Sequence, residues 1–216
     1  MSKKYEIFLF DLDGTITDSA LGITNSVMYA LKKFGIEETD RTKLYKFIGP
    51  PLTESFEKFY GFTKEQSLDG VKYYREYYHD KGIYENRVYD GLAEVLKKIN
   101  EAGKQAIVAT SKPEKYAKII IDHFHLTQYF ACVAGMEMDG GRGTKAQVIT
   151  YALEKNDITD KSKVLMIGDR EHDVIGAHEN GLDCLGILYG FGSRKEFEEA
   201  GADYIRENVE DILQFV

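Results

Sequence analysis

The stretch Ile7-Phe8-Leu9-Phe10-Asp11-Leu12-Asp13-Gly14-Thr15 sets four apolar residues directly before two carboxylates, a glycine and a hydroxyl. A run that is apolar at every position and too short for a helix reads as a strand buried on both faces, the habit of parallel sheets. Carboxylates at the end of such a strand are costly to bury, so Asp11 and Asp13 are either turn and cap residues or groups kept for chemistry. Working outward, Ala106 to Ala109, Ala131 to Ala134, Val164 to Ile167 and Cys184 to Leu188 are further apolar runs, with helical patterns between them. This alternation predicts an α/β fold with a doubly wound parallel sheet, whose ligands gather at the carboxyl ends of the strands.

Between about Leu21 and Val88 the rhythm stops, and the pattern there is helical with no convincing strand. Leu21, Val27, Leu31 and Phe34 form an apolar stripe ending at Gly35. Thr53 precedes a short helix ending at Gly61, and Thr63 with Gln66 boxes the start of another that reaches Asp80. The expected division is a core of residues 1–16 and 89–216 with an all-helical insert over 17–88, a lid hinged over the strand ends. Within the insert, Tyr73, Tyr74, Tyr77 and Tyr78 serve either its own core or the stacking of a nucleobase. Gly49, Pro50 and Pro51 make either a tight turn or a substrate-facing loop.

A chain of 216 residues with 43% apolar content can bury a substantial core. Its 28 basic against 36 acidic residues give a net charge of -8, which disfavours nucleic acid and anionic membranes as partners. The apolar residues ahead of Asp11 are too few for a signal peptide, and no later run approaches a membrane span. Cys132 and Cys184 sit in apolar runs without Cys-x-x-Cys spacing, which predicts buried thiols and a reducing, cytoplasmic setting.

Three more stretches carry chemistry. Ala109-Thr110-Ser111-Lys112 ends the second long apolar run, where a hydroxyl and helix-start amides can hold a phosphate oxygen. Ser111 to Glu114 reads equally as a capping box ahead of the helix reaching Phe124. Lys145 opens a helix after the glycine-rich 140–143 loop, which has neither the Walker order nor a Gly-x-Gly-x-x-Gly fingerprint. Gly168-Asp169-Arg170-Glu171-His172-Asp173 is a second acidic strand end. Two such ends suggest a hard oxygen-liganded cation, magnesium, while the His and Cys clusters of a zinc site are absent.

With these stretches in this order, the chain resembles the haloacid dehalogenase superfamily, in the branch with an all-helical cap between the first and second motifs. Asp-x-Asp-Gly-Thr matches at Asp11 to Thr15, the hydroxyl motif at Thr110, the lysine motif at Lys145 and Gly-Asp-x-x-x-Asp at Gly168 to Asp173. The resemblance covers essentially the whole chain. It implies magnesium-dependent hydrolysis of small phosphomonoesters through an aspartyl phosphate on Asp11, with Asp13 as acid and base. Gly14, Thr110, Ser111 and Lys145 would hold the phosphoryl group. Asp11, Asp169 and the Asp13 main-chain carbonyl would hold the metal, with Asp173 anchored behind them. Dehalogenases and phosphonate-cleaving relatives lack an aspartate at the position of Asp13, which leaves phosphate esters, though sugar-phosphate mutases keep the pair.

Within the superfamily the chain looks most like bacterial 5′-nucleotidase-like and phosphoglycolate-phosphatase-like enzymes. The matching features are Asp18, Gly22-Ile23, Ser26-Val27, Ile48-Gly49-Pro50-Pro51-Leu52 and Leu188-Tyr189-Gly190-Phe191-Gly192. Arg170 stands where the phosphoglycolate pattern has Ser or Thr, so a nucleotidase is preferred, with Gly49 and Arg170 as substrate-binding candidates. A receiver-type phospho-acceptor would be shorter and lack the insert, and an inactive binding module would not fill every catalytic position. The expected partner is a small phosphate ester, with the chain a monomer or weak homo-oligomer.

Overall fold

The computed structural model describes residues 4–138 and 141–216, so Gly140 of the glycine-rich loop lies outside the described residues. The chain divides into two compact units, Met1–Thr17 with Val88–Val216, and Asp18–Arg87. The strands are β1 (Ile7–Phe10), β2 (Thr17–Asp18), β3 (Arg87–Val88), β4 (Gln105–Pro113), β5 (Phe130–Met136), β6 (Val164–Gly168), β7 (Asp183–Ile187) and β8 (Tyr204–Arg206). Six of them make one sheet in the order β5-β4-β1-β6-β7-β8, parallel throughout. Because β1 is flanked by β4 and β6, the chain winds away from it in both directions. Its carboxyl end is therefore the topological switch point where such sheets take ligands.

Three strands were not legible from pattern. β8 is a half-buried Tyr-Ile-Arg without an apolar run, and β2 pairs with β3 at the edges of the insert. Neither β2 nor β3 exceeds two residues, too short to carry any period, so Arg87–Val88 corrects the reading of 21–88 as helix alone.

The Asp18–Arg87 unit contains α1 (Ala20–Lys33), a 3₁₀ segment Arg41–Phe47, α2 (Leu52–Tyr60), α3 (Lys64–Tyr77) and a π-type turn Tyr78–Gly82. The Thr63 and Gln66 capping box forms, and Gly61 ends α2 in the left-handed conformation. Pro51, not Thr53, precedes α2, and Leu21 is 49% exposed and outside the stripe expected for it. An aromatic core of Phe47, Phe56 and Phe62 holds the unit, with Phe56 and Phe62 stacked at 5.5 Å. Tyr74 and Tyr78 are buried in this unit and stack on each other at 5.3 Å, so they belong to its core.

In the sheet-bearing unit the helices are α4 (Leu92–Glu101), α5 (Glu114–His123), α6 (Lys145–Lys155), α7 (Glu171–Glu179) and α8 (Arg194–Ala200). Alternate strand residues divide the burial. Leu9, Ile107 and Met166 pack with Val148 and Ile149 of α6, Val174 of α7 and Phe197 of α8. Phe8, Phe10, Ala106 and Val108 are buried on the other face, where Phe10 meets Phe130 edge-on. Cys184 is buried, whereas Cys132 is only half-buried, a correction to the expectation of two core thiols. Among the described residues no helix is long and apolar enough to cross a membrane.

Candidate active site

The carboxyl end of β1 delivers Asp11, whose N–H donates to the Ile167 carbonyl of β6 at 2.9 Å and so fixes the backbone of the first carboxylate. Asp11, Asp169 and Asp173 are all buried, and each can bring one oxygen within 4.8 Å of the others. Lys145 Nζ stands 2.9 Å from Asp11 Oδ1 and 2.7 Å from Asp173 Oδ1, and donates to the Ala109 carbonyl at 3.2 Å. Lys145 thereby joins the end of β1 and the middle of β4 to the start of α7. It is the first residue of α6, held there by a capping box in which Thr144 Oγ1 accepts from the Gln147 N–H.

Three buried carboxylates face one ammonium. Burial pushes Asp169 well above the usual carboxylate range, and the charges of Asp173 and Asp11 push it the same way. Burial also raises Asp173, to about 6, although Lys145 opposes the rise. Burial pulls the Lys145 ammonium towards neutrality, but Asp11 and Asp173 outweigh it and hold the group charged. A dication would relieve this crowding, and an all-oxygen donor set suits a hard ion. The surroundings pack closely against Asp169. A Cβ on Gly14 would fall 2.0 Å from Asp169 Oδ2, one on Gly190 2.4 Å from Asp169 Cβ, and one on Gly192 2.0 Å from its carbonyl oxygen. Gly14 also has φ +86°, and its N–H donates to the Thr17 carbonyl at 2.7 Å. The Phe191 N–H donates to Asp169 Oδ2 at 2.8 Å, a contact the Leu188–Gly192 stretch carried without its role being readable.

The Asp13 carboxylate does not join the acidic trio. It is held by Lys112, whose Nζ lies 2.7 Å from Oδ2 and 3.0 Å from Oδ1. Lys112 is buried because the second stretch is not the helix start it resembles. β4 runs on to Pro113, α5 begins after Pro113 without a side-chain cap, and the Ser111 capping box does not form. Instead the buried Thr110 Oγ1 accepts from the Lys112 N–H at 3.2 Å. Ser111 sits half-buried between them.

Two further residues are substrate-binding candidates, Arg170 and Gly49. Arg170 precedes α7, and its Nε donates to Glu196 Oε1 at 2.8 Å, an oxygen that also accepts from the Glu171 N–H. Glu196 thus ties Arg170 to α8. Gly49 belongs to the Asp18–Arg87 unit, where its φ of 104° marks a turn ahead of α2. Lys112 and Glu196 were invisible as site residues because a lone Lys or Glu in sequence is ordinarily a solvated one.

A family model described as haloacid dehalogenase-like hydrolase matches residues 8–187. The chain belongs to that family. It is 45% identical over 193 residues to a 5′-nucleotidase of Pseudomonas aeruginosa, covering 89% of this chain and 87% of that one. It is 35% identical to the tyrosine-protein kinase PtkA of Mycobacterium tuberculosis over 87% of this chain but 63% of the relative. A solved structure described as a predicted phosphatase from Clostridium acetobutylicum superposes with a TM-score of 0.94 at 47% identity, covering 98% of both chains. Like the 5′-nucleotidase among these relatives, the chain is a phosphoric monoester hydrolase by class.

Proposed function

We propose that this haloacid dehalogenase-like chain is a magnesium-dependent phosphatase that hydrolyses small phosphomonoesters in two displacements at phosphorus, with nucleoside 5′-monophosphates as preferred substrates. The observation that carries the reading is the fixed Asp11 carboxylate, with Lys145 2.9 Å away and Asp169 and Asp173 beside it. In the first displacement Asp11 attacks phosphorus while Asp13 protonates the departing oxygen. In the second, Asp13 takes a proton from the water that attacks the aspartyl phosphate, so one carboxyl serves both halves. Thr110, Ser111 and Gly14 hold the phosphoryl oxygens, and Lys145 offsets the charge that gathers between them and Asp11. Asp11, Asp169 and the Asp13 main-chain carbonyl would hold the magnesium, which supplies further neutralisation there, while Asp173 steadies Lys145.

The core carries every group that acts on phosphorus, so the choice of leaving group is assigned to the helical insert, with Gly49 as a contributor. The free thiols Cys132 and Cys184 suit a cytoplasmic location. The nucleotide preference is supported by the relative named 5′-nucleotidase, and phosphoglycolate is the alternative. Transfer from Asp11 to a hydroxyl other than that of water would make the chain a mutase or a kinase.

The test is turnover with magnesium of an aryl phosphate and of a panel of nucleoside monophosphates, phosphoglycolate, pyrophosphate and sugar phosphates. Release of inorganic phosphate that Asp11→Asn abolishes is expected. Equal turnover by Asp11→Asn sinks the mechanism, and a phosphoglycolate efficiency far above any nucleotide's overturns the preference while leaving the chemistry intact.

A further inference from the structure

We propose that Lys112 is a positioning residue for Asp13, fixing its carboxylate in the orientation from which it exchanges a proton with the leaving oxygen. The inference rests on the acid–base role given to Asp13 above. Lys112 Nζ meets both oxygens of that carboxylate, at 2.7 and 3.0 Å, which removes the rotational freedom a singly held carboxylate keeps. The two side chains are 6% and 12% exposed, so the pair is shielded from the water and salt that weaken surface ion pairs.

The backbone is shaped to make this contact. Along the β4–β5 ladder Thr110 pairs with Gly135 and Pro113 with Met136, so Ser111 and Lys112 are extra residues in β4. Such a bulge re-aims a side chain beside a site. Here Thr110 Oγ1 accepts the Lys112 N–H. Gly135 leaves room for the bulge, since a Cβ there would come 2.6 Å from the Lys112 carbonyl oxygen and 2.6 Å from Glu114 Cα. Lys145 is engaged by Asp11 and Asp173, so the two lysines divide the two catalytic aspartates between them. Proton transfer requires heavy atoms within about 2.6–3.2 Å, a condition a swinging Asp13 would often miss.

The experiment is kcat/KM for wild type, Lys112→Met, Lys112→Arg and Asp13→Ala over substituted phenyl phosphates whose leaving groups run from phenol to dinitrophenol. This parameter reads the steps up to loss of the leaving group, and good leaving groups need no acid. We expect Lys112→Met to lose about tenfold or more on phenyl phosphate and under about threefold on the dinitrophenyl ester, part of the factor of about 10²–10⁴ that acid–base assistance supplies. Its dependence on leaving-group basicity steepens towards that of Asp13→Ala, and Lys112→Arg restores most of the loss. The slope compares substrates on one preparation, so loss of folded enzyme does not alter it. Parallel lines for wild type and Lys112→Met, beside a steep one for Asp13→Ala, overturn the positioning role alone. An unchanged slope in Asp13→Ala takes the acid role and this inference down together.

Discussion

Asp169 shows how tightly single atoms are specified around the acidic trio. Gly14, Gly190 and Gly192 crowd it so closely that any side chain at these positions would displace it. Gly190→Ala is therefore expected to cut magnesium-dependent turnover at least tenfold, about 1.4 kcal/mol or more of barrier. Calorimetric magnesium titration of the same variant should weaken in parallel, and undisturbed affinity would show that the packing around Asp169 does not serve a cation. At this scale the sequence is unevenly legible. Asp11, Asp169, Asp173 and Lys145 stand out through the joint order of their stretches, since each alone also reads as a cap, a turn or a solvated group. Lys112 does not, because its inward direction is set by a bulge between two strands that are distant in sequence.

Elements matter through their ends. α6 begins at Lys145, and the Thr144 cap determines where that ammonium starts. Thr144→Ala removes a cap worth about 1 kcal/mol, which for a chain of this size lowers the melting temperature by about 2–4 °C. A fall in kcat beyond that of an exposed cap variant such as Thr63→Ala is expected, because only Thr144 precedes a site residue. Equal activities in the two variants would contradict the link. Helix α6 and its capping box follow local rules. β4 does not, since Ser111 to Glu114 satisfies the helix-start rule while pairing with β5 carries the strand past it. β2 and β3 escaped for the opposite reason, being too short for any local signal.

Over the whole molecule the doubly wound parallel sheet was legible in the alternation of apolar runs and helices, whereas its strand order and its short edge strand β8 had no local pattern to announce them. Global stability should register the crowded carboxylates. In the metal-free protein Asp169 and Asp173 bind protons more tightly folded than unfolded, so stability is lost as pH rises from the ordinary carboxylate range through about 6, the region of Asp173. Magnesium competes with those protons, so its stabilising effect should grow across the same interval. Thermal melts with magnesium and with chelator over that range check this, and a magnesium shift independent of pH would contradict it.

The central claim is that phosphorus passes through Asp11, and trapping the adduct tests it most directly. With Asp13→Ala and dinitrophenyl phosphate, the leaving group departs unaided while the base needed for the second displacement is missing. The account predicts a stoichiometric burst of dinitrophenol and, after acid quench, a phosphoryl adduct located by mass spectrometry at Asp11. Steady release without a burst, or an adduct on any other residue, would contradict it.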